Sequence, residues 1–123
     1  MKLINKKSLL LMSILVSPIV LANDQESSLQ EILSKDEGGD CFVLANRAFS
    51  IMGLRQDGVK QKHLQKELRS VDEKYNKNEI NQLIQEAYKI PISPDAVGKM
   101  VVMSNFMSNI EQECMQQNSD NEY

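Results

Sequence analysis

The stretch DCFVLANRAFSIMGLRQDG, residues 40–58, decides the fold of this chain. Asp40 belongs to the residue types favoured at helix N-caps, and Gly58 suits the left-handed position that often ends a helix. The stretch therefore predicts a helix from Cys41 to about Arg55. At 100° per residue its apolar positions fall within one arc of about 120°, the width of a core-facing stripe. This arc contains Cys41, Leu44, Ala45, Ala48, Ile51 and Met52.

Two shorter helices are predicted after it. The first covers about residues 59–69 and buries Leu64 and Leu68, which are four residues apart. The next covers about residues 78–89, and Pro91 ends it because the residue before a proline is disfavoured in helical conformation. Its apolar side consists of Ile80, Leu83, Ile84, Ala87 and Tyr88.

The last predicted helix begins at Ser93-Pro94-Asp95 and runs to about Met115. Ser93 suits the N-cap and Pro94 suits the first helical position. We expect one face to pack on the core, made of Met100, Met103, Phe106, Met107, Ile110 and Cys114. The three methionines also leave a soft Cu(I) site open as a lesser alternative, because thioethers are ligands for that ion.

The N-terminus has the three parts of a signal peptide over residues 1–22. Three lysines precede an apolar run over residues 8–21, and Val20-Leu21-Ala22 places small residues at the positions that precede a cleavage site. We predict cleavage between Ala22 and Asn23. A retained membrane anchor is the alternative, but the run is shorter than the roughly 20 residues that span a bilayer. The predicted location is the periplasm, with secretion beyond it left open.

Two cysteines remain after cleavage, which in an exported protein favours one disulfide, Cys41–Cys114, over two buried thiols. Each cysteine lies on the apolar face of its helix, so antiparallel packing brings the two together. The predicted fold is all-α: a small four-helix domain, orthogonal or bundle-like, with the disulfide joining the first and last helices. Closing a loop of about 74 residues stabilises such a domain by roughly 4 kcal/mol at most.

The predicted organisation has four parts. Residues 1–22 form the signal peptide, and residues 23–39 form a polar N-terminal arm, either a weak helix or a flexible lead. The helical domain covers residues 40–115, and residues 116–123 form a polar, disordered tail.

The charge balance argues against two classes of partner. The chain has 14 basic and 17 acidic side chains, and three of the basic ones are in the leader, so the mature chain carries a net charge of −6. We therefore expect neither nucleic-acid binding nor, after cleavage of the signal, attachment to an anionic membrane.

The sequence favours a non-catalytic protein without metal or cofactor. The single histidine, His63, is predicted on a solvated helix face, and paired cysteines leave neither a zinc ligand set nor a thiolate nucleophile. Carboxylates are scattered over polar helix faces, where solvation is their usual state. No catalytic residue is predicted.

Two groups of residues stand out as contact candidates. Arg55 lies inside the apolar arc and is followed by Gln56. The guanidinium either caps carbonyls or pairs with a carboxylate on a neighbouring helix, or it forms an anion site. On the outer side of the same helix, Val43 and Leu54 with Arg47 between them form a patch suited to a protein partner or a homodimer contact. Val102 of the last helix is also predicted to point outward.

The chain contains, in this order, Cys41, Ile51-Met52, Arg55-Gln56, Gly58, Glu86-Ala87-Tyr88, Pro91, Phe106 and Cys114. The spacing of these residues resembles an uncharacterised group of short signal-peptide-bearing helical proteins of Gram-negative bacteria and their phages. The resemblance covers residues 41–114 and supports the compartment and the fold, but implies no activity. Size and architecture are more loosely similar to periplasmic immunity proteins that block cell-wall amidases.

These observations predict a periplasmic binding or inhibitory protein that acts by protein–protein contact on an unidentified protein partner. An immunity-type role is its sharpest form. The alternative is a stress chaperone of the holdase type, which would open in acid and bind many clients. Protonated carboxylates would leave such a chain net positive, as they would most small acidic domains.

Overall fold

A computed structural model describes residues 28–35 and 38–120, and all regular structure in these ranges is α-helical. The predicted all-α class is therefore confirmed for the described residues. The predicted signal peptide and its cleavage site between Ala22 and Asn23 lie outside them. The helices are α1 Ser28–Ser34, α2 Asp40–Gln56, α3 Gln61–Arg69, α4 Lys77–Tyr88 and α5 Ala96–Asp120.

Helix α2 is the central element of the fold. It packs along α5 and also contacts α1 and α4, while α3 packs on α4 and α1. The disulfide between Cys41 and Cys114 is formed, with a Cα–Cα distance of 5.5 Å, and joins the start of α2 to the end part of α5. The two helices are thus antiparallel, as predicted. Because α1 is an additional helix, the bond connects the second and the last helix.

The core lies between α2 and the three short helices, with one aromatic side chain from α5. The positions predicted to be buried on α3 and α4 are buried, except for the half-buried Tyr88. The core cluster consists of Leu29, Leu33, Ala48, Ile51, Met52, Leu64, Leu68, Val71, Ile80, Leu83, Ile84, Ala87 and Phe106.

Helix α1 corrects the predicted boundary of the domain at residue 40. The weak helix that was one alternative for the polar arm is present, and its Leu29 and Leu33 are both 0% exposed, so the arm contributes two core side chains. Leucines four residues apart share one face of a helix, and seven helical residues are enough to bury both. The packed helical unit therefore begins at Ser28.

The N-cap of α2 differs from the prediction, whereas the glycine that ends the helix agrees with it. The N-cap is Gly39, without a side-chain cap, and Asp40 is the first helical residue, where its charge suits the helix dipole. At the other end Gly58 has φ 89°, as expected for a left-handed cap. The Gly58 and Val59 N–H groups donate to the Arg55 and Leu54 carbonyls, each at 3.0 Å, which is the Schellman arrangement.

Two other helix starts were predicted two to three residues early. Helix α3 begins at Gln61, because Val59 completes the cap of α2. Helix α5 begins at Ala96, and the N-cap role falls to Asp95, whose Oδ1 accepts the Gly98 N–H at 2.6 Å. Ser93 is not the N-cap. Its own N–H is bound by a side chain of α2, which keeps it outside the helix.

Helix α5 departs from its predicted faces and its predicted end. It continues to Asp120, so residues 116–120, predicted to be disordered, are helical. Met100 is 54% exposed rather than buried, whereas Val102, predicted to point outward, packs against the core. The reason is that α5 contacts α2 with a face centred on Phe106, which leaves Met100 at its edge.

Candidate functional site

A groove of about 590 Å³ runs along the outer side of α2, and we call it the α2 groove. Helix α1 forms one wall and Met103 of α5 borders the other. The residues contributed by α2 and its C-cap Asp57 recur at helical spacing from Val43 to Asp57, a rise of about 21 Å over fourteen residue steps. The lining residues are Glu31, Ile32, Lys35, Val43, Asn46, Arg47, Phe49, Ser50, Gly53, Leu54, Asp57 and Met103.

The patch predicted on the outer face of α2 lies in this groove. Val43, Arg47 and Leu54 all line it and all three are half-buried. The structure therefore brings together the three residues that the helical projection placed side by side. They are recessed between helices rather than displayed on a flat surface, because α1 covers one flank of α2.

The middle of the groove has a floor of small residues. Ser50 has a small side chain facing the groove, and Gly53 has none, but the Met103 methyl group covers Gly53. A Cβ atom added at Gly53 would be 2.9 Å from Met103 Cε. Methionine has a flexible, unbranched side chain that can repack, so this wall of the groove can adapt to an occupant.

Charged side chains border the groove. Glu31 and Lys35 of α1 are 3.8 Å apart and exposed, so they offset each other. The guanidinium of Arg47 lies 5.4 Å from the centre of the Tyr75 ring, a cation–π distance that fixes its position. Asp57 is exposed at the C-terminal end of α2. Arg47 within α2 and Asp57 just after it thus carry charges of opposite sign, separated along the helix axis.

The wall formed by α1 is held by Glu67, a residue that the sequence did not single out. Its Oε2 accepts the Leu29 N–H at 2.9 Å, and its Oε1 lies 2.7 Å from His63 Nε2. Glu67 therefore binds one of the unsatisfied N–H groups at the start of α1. The four-residue spacing from His63 to Glu67 predicts their contact, but nothing local in the sequence predicts the partner on α1.

Arg55 and Gln56, the other predicted pair, lie outside the groove and hold the α4–α5 connection. Arg55 Nε donates to the Ile90 carbonyl at 3.0 Å, and its guanidinium lies 5.0 Å from the centre of the Tyr88 ring. The described contacts are thus with a loop carbonyl and an aromatic ring, rather than with the end of its own helix or a carboxylate. An anion site at Arg55 stays a prediction.

Gln56 is the more deeply buried member of the pair, at 1% exposed. Its Oε1 accepts the Ser93 N–H at 2.8 Å, and its Nε2 donates to the Pro91 carbonyl at 3.1 Å. Nε2 also lies 3.6 Å from Met52 Sδ. Because both ends of the amide are used, Gln56 fixes the loop that leads into α5. The apolar pattern of α2 singled out Arg55, but the buried amide of Gln56 makes more polar contacts than the Arg55 guanidinium does.

Tyr88 completes the contacts at this end of the molecule. Its hydroxyl donates to the Val59 carbonyl, which joins the end of α4 to the turn after α2. Burial raises the pKa of Tyr88 above its usual value of 10.0, and the positive charge of Arg55 partly offsets this effect. The neutral phenol is therefore the form that the folded protein favours.

Metal-ligating side chains are not clustered in the described part of the chain. No three His, Cys, Asp or Glu side chains within 28–35 and 38–120 are placed to hold a metal ion. His63 is exposed and contacts Glu67, away from the groove. Of the three methionines of the predicted stripe, Met100 is exposed and Met103 lies over Gly53, so the two have different surroundings.

Within the described ranges, the helices are too short or too polar to cross a membrane. Comparison of the chain with protein-family models, curated proteins and solved structures finds no match.

Proposed function

We propose that the protein is an exported, non-catalytic binding protein that acts by protein–protein contact through the α2 groove. The observation that carries the proposal is the groove itself, with its half-buried apolar residues, its small-residue floor and its charged rim. Apolar side chains at the centre of a surface with polar and charged groups around them are typical of protein–protein contact surfaces.

The way the walls are held supports this proposal. The disulfide fixes α5 to α2 at one end, and the amide of Gln56 fixes the loop before α5 near the other end. Glu67 holds the start of α1. A groove whose walls are fixed before binding loses less conformational entropy when a partner enters. A disulfide is also typical of proteins that fold outside the cytoplasm, and the predicted signal peptide suggests the periplasm.

The sharpest form of the proposal is an immunity-type inhibitor that binds one secreted hydrolase. Such an inhibitor forms a complex of fixed stoichiometry and blocks the activity of its partner in proportion to the complex formed. Its loss is toxic only to cells that meet the hydrolase. The looser similarity in size and architecture to immunity proteins suggested this form, and the α2 groove supplies a surface for it.

A matched pair of tryptophan substitutions tests the groove. Asn46 is exposed and lines it, whereas Asn109 is exposed on α5 and does not. We expect Asn46→Trp to fill the groove and lower capture of the partner from periplasmic extract at least tenfold. Asn109→Trp should capture as well as the wild type. Equal capture by both variants, with unchanged thermal unfolding, would exclude the groove as the contact surface.

A second candidate function, a holdase, is favoured by a different surface. Four apolar side chains near the start of α5 are exposed, and Val97 is the most open of them at 75%. Exposed apolar residues close together can bind partly unfolded clients. A holdase suppresses the aggregation of its client proteins. If Val97→Ser weakens this suppression and Asn46→Trp does not, the result supports the holdase role over binding through the α2 groove. The four exposed apolar side chains near the start of α5 are Ile92, Val97, Met100 and Val101.

A further inference from the structure

The disulfide lies beyond the hydrophobic core, at the end of the α2–α5 pair that has the least packing. Towards this end, the last side chains that pack against the core cluster are Leu44 on α2 and Ile110 on α5. Cys41 comes about one helical turn before Leu44, and Cys114 about one turn after Ile110. On α5 the residues 111–119 are all half-buried or exposed. The bond therefore joins two helix ends that the core does not hold.

The end of α5 is also a poor helix by itself. Its last turn contains no basic side chain to interact with the terminal carbonyls. That turn contains Asn118 and Ser119, which have lower helix propensity than alanine or lysine. An unpacked helical segment of ten residues is marginal in water, so residues 111–120 need a tertiary contact to stay helical. Asn118 Nδ2 lies 3.4 Å from Cys41 Sγ, so this polar contact too is at the disulfide.

The disulfide borders open space on two sides. Cys114 lines two cavities of about 540 Å³ each, one between α4 and α5 and one beside the start of α2. Both cysteines are half-buried. The rate of thiol–disulfide exchange depends on how easily a thiolate reaches one of the two sulfur atoms. A small reductant can therefore approach the bond while the core stays folded.

We propose that the Cys41–Cys114 disulfide is a redox-sensitive clamp, whose reduction releases residues 111–120 from α2 while the rest of the fold stays in place. The reductant is a dithiol. One of its thiolates attacks Cys114 Sγ, which forms a mixed disulfide and expels Cys41 as a thiolate that takes up a proton. The second thiol of the reductant then closes its own disulfide and expels Cys114 in the same way. The protein gains two electrons and two protons.

The released part is the end of α5 rather than the start of α2. Asp40 has a charge that suits the first turn of α2, and Leu44 still packs against the core. On α5 the buried Phe106 keeps the earlier part of the helix in place, including Met103, which borders the α2 groove. The α2 groove is therefore retained after reduction. The inference goes beyond the proposed function and does not depend on it.

NMR of the whole chain, purified with its disulfide formed, tests the proposal. Cα secondary chemical shifts report helix content residue by residue, and they are compared in native buffer before and after addition of dithiothreitol. We expect the helical shifts of residues 111–119 to fall by more than half and those of α4 to stay unchanged. The double variant Cys41→Ser and Cys114→Ser should match the reduced protein, with or without dithiothreitol.

Two outcomes of this comparison would overturn the proposal. If residues 111–119 keep their helical shifts after reduction, the bond does not hold this segment. If the shifts of α4 are lost as well, the bond holds the whole fold rather than one helix end. The reduction rate should also change little in sub-denaturing urea. A rate that rises in parallel with global unfolding would overturn the access of the reductant to the folded protein.

A matched pair of lysine substitutions tests the intrinsic weakness of the α5 end. Ser119→Lys places a good helix former with a positive charge in the last turn, where it interacts favourably with the terminal carbonyls. Ser104→Lys makes the same change at an exposed position before Phe106. We expect Ser119→Lys to retain more helix over residues 111–118 in the reduced protein, and Ser104→Lys to behave as the wild type. Equal helix loss in the two variants would contradict this explanation.

Discussion

Replacement of Gln56 by alanine should destabilise the protein by about 3 kcal/mol. The side chain makes two hydrogen bonds to the α4–α5 loop, to Ser93 N–H at 2.8 Å and to the Pro91 carbonyl at 3.1 Å. Each such bond contributes a net of about 1 kcal/mol, and leaving the partner groups unsatisfied adds to the loss. The cavity left by a fully buried side chain adds a further cost, which is limited because the loop can move inward.

The measurement is urea unfolding followed by far-UV circular dichroism, with thermal unfolding as a second readout. A loss of about 3 kcal/mol corresponds to a fall in Tm of roughly 12–24 °C for a domain of this size. Gln56→Met retains most of the volume and removes the hydrogen bonds, so it separates the two contributions. Gln82→Ala on the exposed side of α4 is the control, expected to stay within about 0.5 kcal/mol of the wild type.

The reasoning on Gln56 would be refuted if Gln56→Ala lowered stability no more than Gln82→Ala. It would be refuted in part if Gln56→Met were as stable as the wild type. In that case the amide would fill space without holding the loop, and the loop's own packing would position α5.

Three other predictions follow from the core, the disulfide and the buried phenol. Replacing Cys41 and Cys114 by serine removes the disulfide and should lower the free energy of unfolding by up to about 4 kcal/mol, because the bond joins residues 73 positions apart. Urea unfolding compared with the oxidised wild type measures this loss, and no loss would contradict a stabilising role for the bond. Leu33→Ala should lower the free energy of unfolding by about 2–4 kcal/mol and increase hydrogen exchange in α1, because Leu33 is 0% exposed. A change in stability below about 0.5 kcal/mol would mean that α1 does not unfold cooperatively with the rest of the domain. Burial raises the pKa of Tyr88, so the folded state holds the phenolic proton more tightly than the unfolded state does. The stability that this difference contributes is complete below pH 10.0 and is lost as the pH rises above it. Tyr88→Phe should therefore flatten the decline of stability at alkaline pH, and identical pH profiles would contradict this.

Much of the fold could be predicted from local patterns. The apolar spacing on α2, α3 and α4 identified the buried faces, and the left-handed glycine at Gly58 identified the end of α2. The disulfide between Cys41 and Cys114 was predicted from the expected export of the chain and from the helical positions of the two cysteines. These features depend on periodicity and on the conformational preferences of single residues, which the sequence displays directly.

The remaining features depend on contacts between distant segments. The burial of Leu29 and the role of Glu67 arise from the packing of α1 on α3, thirty-eight residues away in sequence. The start of α5 was misplaced because Gln56 binds the N–H of Ser93, the residue expected to be the cap. Likewise, the patch on α2 was recognised from its residues, but the groove around it depends on where α1 and Met103 lie.

Site-specific photo-crosslinking in cells tests the central claim, that the α2 groove is the surface that contacts a partner protein. A benzophenone amino acid is placed at Ser50 on the floor of the groove and, in separate variants, at the exposed positions Gln82 and Asn109. We predict one discrete adduct of fixed mass at Ser50 and none at the other two, with the partner identified by mass spectrometry. Adducts of equal yield at all three positions, or at Gln82 and Asn109 alone, would contradict the claim.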